Sequence, residues 1–249
     1  MQTVMITGCS SGFGLEIARH FLDQGWRVIA TMRTPREDIL PASGRLRVLT
    51  LDVTDASGIR RVVEAAGPID VLVNNAGFGA AAAVESMPFA TVRELFETNT
   101  FGTMALTQAV LPQFRRRGAG VVINVTSSVT LKPLPLVGMY RASKAAVNAF
   151  TESLAAEVGQ FGVRVRLVLP GRSPETRFGE NARPHTVGLD HEAYAGLLQS
   201  FMASIGDESG PVTHAEDVAR AVWRAATDPD SPMHIPAGAD AEAWAAERR

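Results

Sequence analysis

The stretch that decides the fold is TGCSSGFG, residues 7–14, which joins a short apolar run to an amphipathic helical pattern. Gly8, Gly12 and Gly14 allow a tight turn, a close approach to a pyrophosphate and close packing of helix on strand. The first turn of the helix adds unpaired N–H groups and the positive end of a dipole, which suit a phosphate. Three glycines alone would fit a structural turn almost as well, but their position at a first strand–helix junction favours a nucleotide site.

The rest of the chain alternates β-rich runs with longer helical patterns. Several runs consist mainly of Val, Ile and Leu, as expected for strands covered on both faces. The predicted strands are residues 3–7, 26–32, 45–53, 69–74, 120–127 and 163–170. Because strands that alternate with helices form right-handed βαβ units, we predict an α/β fold with a doubly wound parallel sheet and helices on both faces. Residues 1–249 then form a single Rossmann-type domain, which binds ligands beyond the carboxyl ends of its strands.

Residues 172–213 interrupt this alternation. Gly, Pro and charged residues there surround one apolar helical segment near residues 191–203. The segment follows the carboxyl end of the sixth predicted strand and can reach over the ligand crevice. Loops of this length are usually functional or disordered. We therefore interpret residues 172–213 as a substrate lid, with a solvated excursion as the alternative.

Composition excludes several classes of protein. The chain has 249 residues, of which 46% are hydrophobic, and a formal net charge of -2, which argues against nucleic acid or an anionic membrane as the main partner. A single cysteine, Cys9, excludes an internal disulfide and a cysteine metal cluster, and the histidines lack a metal-binding spacing, so we predict no metal. No signal-peptide pattern precedes the first strand, and no apolar run approaches the ~18 residues of a membrane span. A cytoplasmic location is expected.

Four motifs together resemble one known family. They are the TGxxxGxG loop, NNAG at residues 74–77, a serine (Ser127) thirteen residues before Tyr140, and the YxxxK pattern that ends at Lys144. Their joint spacing resembles that of the classical short-chain dehydrogenases/reductases, over nearly the whole chain. The glycine loop and VIATMR (residues 28–33) further resemble the branch that contains hydroxysteroid and retinol dehydrogenases. The resemblance implies an oxidoreductase that moves a hydride between a nicotinamide and an alcohol or carbonyl.

The resemblance also implies a catalytic set of Asn99, Ser127, Tyr140 and Lys144. Tyr140 would exchange a proton with the substrate oxygen, Ser127 would hydrogen-bond that oxygen, and Asn99 would hold a helix kink and a proton-relaying water. A phenol has a pKa of about 10, and a cation about 4 Å away supplies roughly 4 kcal/mol in an effective dielectric near 20. We therefore expect Lys144 to lower the pKa of Tyr140 while binding the nicotinamide ribose. The alternatives are a surface Tyr–Lys pair and a buried Asn99 satisfied by the backbone.

The same resemblance implies a cofactor site formed by the glycine loop and the strand ends. Its residues are Gly8, Ser10, Ser11, Gly12, Phe13, Gly14, Arg33, Asp52, Val53, Asn74, Ala76, Gly77, Tyr140, Lys144, Pro170 and Gly171. Asp52 would accept from the adenine amino group, although an ordinary acid after a strand is nearly as good an interpretation. The family usually has Pro-Gly, three residues and then Thr; here PGRSPET places Thr176 one residue late, which leaves the conformation of that loop open.

The second predicted strand ends with a cation rather than an acid. NAD-preferring dehydrogenases usually place a carboxylate there for the ribose 2′-hydroxyl, whereas this chain has Met32 and then Arg33. A guanidinium matches a 2′-phosphate, and Ser11 could add a hydroxyl. We therefore predict that NADP(H) is favoured over NAD(H). The alternatives are a solvated Arg33 and an NAD-linked alcohol dehydrogenase.

These inferences predict an enzyme that interconverts a secondary alcohol and a ketone or aldehyde on a hydrophobic small molecule. The apolar residues Phe78, Leu134, Leu136, Met139, Phe178, Tyr194, Phe201 and Met202 could line the substrate site or simply close a core. The family resemblance implies a homodimer or homotetramer built through the long helices that carry Asn99 and Tyr140. A non-catalytic regulator that senses NADP is the alternative from another class of protein. The intact Ser127, Tyr140 and Lys144 argue against it, because a sensor needs no proton donor.

Overall fold

The computed structural model describes residues 1–188, 191–206 and 209–247. All neighbouring strands of its one sheet are parallel, in the order β3-β2-β1-β4-β5-β6-β7. The strands are β1 Thr3–Thr7, β2 Arg27–Met32, β3 Leu46–Thr50, β4 Val71–Asn74, β5 Gly120–Val125, β6 Val163–Pro170 and β7 His234–Ala237. This is the doubly wound α/β fold that the sequence predicts.

Helices cover both faces of the sheet. They are α1 Gly12–Asp23, α2 Ala56–Ala66, α3 Phe89–Phe96, α4 Gly102–Arg117, α5 Gly138–Val158, α6 Phe178–Ala182, α7 Ala195–Gly206, α8 Ala215–Thr227 and α9 Ala239–Ala246. Alternate residues of β1 serve the two faces, as the pleat of a strand requires. Val4 and Ile6 pack in the core with α1 and α8, whereas Met5 packs in the core with α2, α4 and α5. Among the described helices, none has the length and apolarity needed to span a membrane.

Several predicted boundaries were wrong. The third strand ends at Thr50 rather than residue 53, and the fifth ends at Val125 rather than residue 127. In both places the chain leaves the sheet earlier than its apolar residues suggest, because the following residues turn towards the ligand edge. The long helix that was expected to carry Asn99 is divided into α3 and α4 by a π-helical turn, Glu97–Phe101. The short edge strand β7 was not predicted.

The order of the strands reverses between β1 and β4. Crossovers leave these two strands in opposite directions, so a crevice opens beyond their carboxyl ends, where ligands bind in open α/β sheets. Thr7 ends β1, and its side-chain oxygen accepts hydrogen bonds from the backbone N–H groups of Asn75 and Ala76, each at 2.9 Å. The side chain of Asn75 in turn donates to the carbonyl of Thr7 at 2.9 Å. These bonds fix the two lips of the crevice to each other.

The segment proposed as a lid lies over this region of the molecule. A parallel bridge joins Thr186 to Ala81, with a hydrogen bond from Val187 N to Ala81 O of 3.1 Å. The predicted helix near residues 191–203 corresponds to the turn Glu192–Tyr194 and to α7. Leu198 on α7 is buried against Ala83 and Leu136. Residues 189, 190, 207 and 208 of the predicted lid lie outside the described residues.

Candidate active site

Tyr140 and Lys144 project from the first turns of α5 into the protein. Tyr140 is 7% exposed and Lys144 is 6% exposed, so neither is the surface residue that the alternative interpretation required. The Nζ atom of Lys144 donates to the carbonyl of Val125 at 3.1 Å, which ties the ammonium to the carboxyl end of β5. The four-residue spacing of a helical turn places both groups on one face of α5.

Burial dominates the protonation of this pair. It raises the pKa of Tyr140 to about 12, while a side-chain hydrogen bond with Ser127 acts in the opposite direction. Burial also lowers the pKa of Lys144 to about 8. Removing a group from water disfavours its charged form, so a phenol and an amine shift in opposite directions. The expectation that Lys144 sets a lowered pKa for Tyr140 is therefore wrong for the protein alone.

Ser127 lies beside Tyr140 because the chain turns immediately after β5. It caps the short helical turn Ser128–Thr130, and its Oγ accepts from the backbone N–H of Val129 at 3.3 Å. The guanidinium of Arg141 holds the same turn through its Nε, which donates to the carbonyl of Val129 at 2.9 Å. Thus α5 supplies Tyr140 and also the cation that fixes the serine segment beside it.

Asn99 occupies the π-helical turn between α3 and α4 and is 1% exposed. Its Oδ1 accepts from Phe78 N and its Nδ2 donates to Phe78 O, both at 3.0 Å. Nδ2 also lies 3.2 Å from the Oγ of Ser143 on α5. The helix distortion implied by the resemblance is present, and so is the backbone pairing of the alternative interpretation. Asn99 joins the residues after β4 to α5, close to Lys144.

The glycine loop has the geometry of a phosphate cradle. Gly8 has φ +73° and Gly12 has φ +55°, values that side chains rarely allow. A Cβ at Gly8 would lie 2.9 Å from the Cα of Ala76, so the loop packs directly on the residues after β4. Ser11 caps α1 with extended backbone but without a side-chain hydrogen bond, and the first turn of α1 contains no acid. The N–H groups at this helix end are therefore available to an anion.

Other predicted cofactor residues are placed around the same crevice. The side chain of Asn74 donates to Asn124 at 2.8 Å and so ties β4 to β5. A Cβ at Gly77 would meet Asn99 and Lys144, whereas Val53 packs against Gly102. The remaining positions of the predicted set follow from the loop and strand ends: Ser10 and Phe13 lie in the glycine loop, and Pro170 and Gly171 lie at the end of β6.

Arg33 and Asp52 are exposed. Within the part of the chain that the structure describes, no carboxylate pairs with Arg33, which directly follows β2. The Oδ1 of Asp52 accepts from the backbone and hydroxyl of Thr54 at 2.9 and 2.8 Å, a local turn that agrees with its interpretation as an ordinary acid after a strand.

The unusual PGRSPET segment reaches the glycine loop despite its extra residue. A Cβ at Gly12 would lie 3.4 Å from the Cβ of Thr176. Both regions line a cavity of about 370 Å³. Glu175 also lines this cavity and is bound to the start of α8, where its Oε1 accepts from Ala215 N at 2.7 Å and its Oε2 lies 2.9 Å from His214. These hydrogen bonds lower the pKa of Glu175 and keep its charge paired.

The same cavity includes residues that the sequence did not indicate. Arg19 and Arg36 line it together with Ser10 and Ser11. Neither arginine belongs to a motif, and the two come together only because α1 and the segment after β2 meet at this end of the sheet. Thr7 and Asn75 were missed for a related reason: their hydrogen bonds link residues almost seventy positions apart.

An aromatic side chain from the predicted lid packs against Tyr140. The ring of Phe178 lies 5.8 Å from the ring of Tyr140. A Cβ at Gly79 would lie 2.7 Å from the Cζ of Phe178. Behind them, Tyr140 packs in an apolar cluster with Ala80 and Leu95. Gly79 therefore provides the space that lets Phe178 approach Tyr140. The wall of the site on this side is aromatic and aliphatic.

The described part of the site contains no cluster of metal-ligating side chains. Across residues 1–188, 191–206 and 209–247, no cluster of His, Cys, Asp or Glu has the arrangement of a metal site. Cys9 is buried, and burial raises the pKa of its thiol to about 12, so the thiolate is strongly disfavoured.

Comparisons with known proteins agree with this geometry. Residues 2–186 match the family model for short chain dehydrogenases. The chain is 34% identical to a 3-ketodihydrosphingosine reductase from Bacteroides thetaiotaomicron over 241 residues, which cover 95% of this chain and 88% of that protein. It is 38% identical to retinol dehydrogenase 8 from Homo sapiens over 181 residues, covering 68% of this chain and 58% of that protein.

Solved structures share the whole architecture. A short-chain dehydrogenase from Streptomyces avermitilis matches with a TM-score of 0.85 and 32% identity, covering 99% of this chain and 91% of that one. The closed form of a serine dehydrogenase complexed with NADP+ matches with a TM-score of 0.82 and 27% identity, covering 96% and 95%. A 3-ketoacyl-(acyl-carrier-protein) reductase from Brucella melitensis complexed with NADH, at 24% identity and a TM-score of 0.79, shares the fold and covers 94% and 96%.

Proposed function

The chain belongs to the short-chain dehydrogenase family, and from that premise we propose that it is an NADP(H)-dependent oxidoreductase of a hydrophobic alcohol or carbonyl compound. The reaction interconverts a secondary alcohol and a ketone, or an aldehyde, at Ser127, Tyr140 and Lys144. The observation that carries the proposal is the buried contact of the Tyr140 phenol with Ser127, one helical turn from Lys144, whose ammonium is bound at the carboxyl end of β5. A neutral phenol in that place is a proton donor.

The three side chains have different tasks in carbonyl reduction. Tyr140 holds its proton firmly, since its pKa is about 12, and releases it only to an oxygen that is gaining negative charge. Ser127 hydrogen-bonds the same oxygen and helps to stabilise that charge. Lys144 carries a positive charge below about pH 8, which stabilises the phenolate left after proton transfer. In the oxidative direction, the phenolate takes the proton back.

The cofactor supplies the hydride, and the residues present fit it. The glycine loop and the free N-terminus of α1 suit its pyrophosphate, and Lys144 suits the ribose of its nicotinamide end. We assign its 2′-phosphate to Arg33, which directly follows β2, and to Ser11. Arg19 and Arg36 are further cations, and they line the cavity together with Ser11. A charge-assisted contact contributes about 1.5–3 kcal/mol, which would favour NADP(H) over NAD(H) roughly ten- to hundredfold.

The substrate class follows from the walls around Tyr140. Phe178, Gly79 and the apolar cluster behind Tyr140 present carbon atoms to the reacting centre. The two relatives are named for 3-ketodihydrosphingosine and for retinol, and both molecules have a large hydrocarbon part. We therefore assign this chain a small molecule with a hydrophobic body. We also propose that the enzyme lies in the cytoplasm. From the family resemblance, we propose that it forms a homodimer or homotetramer through α4 and α5.

A parallel titration with NADPH and NADH, followed by nicotinamide fluorescence, tests the cofactor assignment. The proposal expects NADPH to bind at least tenfold more tightly, and the Arg33→Ala variant to lose that preference. Arg27→Ala is the matched control, because Arg27 is an exposed arginine at the opposite end of β2. Equal affinity for both cofactors, or an unchanged preference in Arg33→Ala, would overturn the assignment. A screen of hydrophobic ketones with the preferred cofactor then identifies the substrate.

A further inference from the structure

The two ends of the lid segment, residues 172–213, are joined to each other at the carboxyl edge of the sheet. Thr213 N donates to the carbonyl of Arg172 at 2.8 Å, and Gly171 N donates to the Oγ1 of Thr213 at 2.9 Å. Thr213 is fully buried, and a Cβ at the neighbouring Gly238 would clash with it. The two ends of the segment therefore meet in one hydrogen-bonded junction, formed by Gly171, Arg172 and Thr213.

A buried carboxylate lies at the centre of this junction. Asp240, in the first turn of α9, is 6% exposed. Its Oδ2 accepts from the backbone N–H of Arg172 at 2.6 Å, and its Oδ1 lies 2.6 Å from the Oγ1 of Thr213. These contacts, together with the positive end of the α9 dipole, compensate the loss of water around the carboxylate. One side chain thus binds both ends of the lid segment.

The contact also requires glycine at position 171. A Cβ on Gly171 would clash with both oxygens of the Asp240 carboxylate, so these oxygens pack directly on the glycine backbone. Gly171 follows Pro170, the last residue of β6 and one of the predicted cofactor contacts. Asp240 is therefore placed to fix the lid and also the strand end from which the lid begins.

The opposite end of α9 reaches the serine segment. The Nζ of Lys132 lies 5.6 Å from the ring centroid of Trp244 and 2.9 Å from Oε2 of Glu247. Lys132 closely follows the turn Ser128–Thr130, which Ser127 caps. The C-terminal helix thus connects the base of the lid with the segment that carries Ser127.

We propose that Asp240 is a positioning residue that sets the lid over the active site. From the junction at Arg172, the chain runs through Thr176, which packs on Gly12, to Phe178, which covers Tyr140. A change at this junction displaces both contacts, because Asp240 acts through the backbone of Gly171 and Arg172 and touches none of the reacting atoms. The role in turnover rests on the proposed function, whereas the effect on the lid itself does not.

Asp240→Asn tests the proposal while preserving the size of the side chain. Hydrogen–deuterium exchange of the full-length protein is measured by mass spectrometry on peptides from the lid and from the central strands. We expect exchange in the lid to rise about ten- to hundredfold, since a buried hydrogen bond to a charged group is lost, with the strands unchanged. Glu242→Gln is the matched control, because Glu242 is an exposed acid in the same first turn of α9.

Thr213 provides an independent pair of variants. Thr213→Val removes the hydroxyl and is expected to reproduce the effect of Asp240→Asn, whereas Thr213→Ser retains the hydroxyl and should resemble the wild type. Unchanged lid exchange in Asp240→Asn would overturn the proposal. So would an equal rise throughout the sheet, which would indicate a general loss of stability.

Turnover separates this proposal from the proposed function. If a ketone is reduced, Asp240→Asn should raise KM and weaken NADPH binding. Tyr140→Phe should instead lower kcat roughly 10²–10⁴-fold without changing exchange in the lid. If no carbonyl compound is reduced by the wild type, the exchange comparison still decides the role of Asp240. A normal KM and normal NADPH affinity alongside a loosened lid would contradict the positioning role.

Discussion

Tyr140 and Lys144 lie one helical turn apart on α5, and burial shifts their pKa values in opposite directions, to about 12 and about 8. Each shift favours the neutral form of the group, as expected when charge is removed from water. At neutral pH the phenol therefore keeps its proton, while the lysine remains cationic. A neutral phenol and a cation one helical turn apart suit the proposed proton transfer, but their burial lowers folding stability.

The lysine shift predicts a pH dependence of stability. In the unfolded chain Lys144 titrates near 10.5, and in the folded protein near 8, so between these values the unfolded state binds more protons. The burial penalty is fully present below about pH 8 and is relieved as the pH rises towards 10.5. Relative to Lys144→Met, the wild type should gain roughly 3 kcal/mol in the free energy of unfolding across this window.

Urea unfolding at pH 7 and near pH 10 measures this difference. The exposed Lys132 supplies the control, because the Lys132→Met variant should follow the wild type across the same range. The difference in unfolding free energy between the wild type and Lys144→Met should therefore change with pH. A difference that stays constant would mean that Lys144 is not desolvated as described.

Asn99 and Lys144 pack closely on the backbone of Gly77. A Cβ there would lie 2.8 Å from Oδ1 of Asn99 and 3.3 Å from Nζ of Lys144. Gly77→Ala should therefore reduce the free energy of unfolding by about 1–3 kcal/mol and weaken NADPH binding, because both side chains must move. Gly44→Ala is the control, since a Cβ at Gly44 meets no atom within 4 Å. Wild-type stability and affinity in Gly77→Ala would contradict the packing around Asn99.

Gly79 and Phe178 predict an energetic coupling between the lid and the site. Gly79→Ala should lower kcat/KM, because the added Cβ would lie 2.7 Å from the Phe178 ring and displace it from Tyr140. In the Phe178→Ala background the same substitution should have little effect, which gives a coupling of about 0.5–3 kcal/mol in a double-mutant cycle. Gly196→Ala on α7 tests for a general effect on the lid. Additive losses would show that Gly79 does not act through Phe178.

Much of the fold could be predicted from local sequence. The Val- and Ile-rich runs located six strands, because buried parallel strands have a strong apolar signal. The seventh, His234–Ala237, escaped because it is a four-residue edge strand that contains Pro236. The YxxxK motif was visible because Tyr140 and Lys144 are neighbours on one helix.

Long-range contacts could not be predicted in this way. Asp240 meets Arg172 across 68 positions, and no periodicity or motif links the two residues. The pKa of Tyr140 was also misjudged, since the sequence places a cation beside the phenol but does not reveal that both groups are buried. Local patterns therefore located the elements and the motif, whereas burial and the base of the lid required the fold.

The central claim is that Tyr140 exchanges the proton in an NADP(H)-dependent reaction. The most direct measurement compares turnover of a hydrophobic ketone by the wild type, by Tyr140→Phe and by Tyr194→Phe, which changes the chain's other tyrosine. The account predicts a loss of kcat of roughly 10²–10⁴-fold in Tyr140→Phe, with NADPH affinity retained, and little loss in Tyr194→Phe. Turnover by Tyr140→Phe at the wild-type rate would contradict the account.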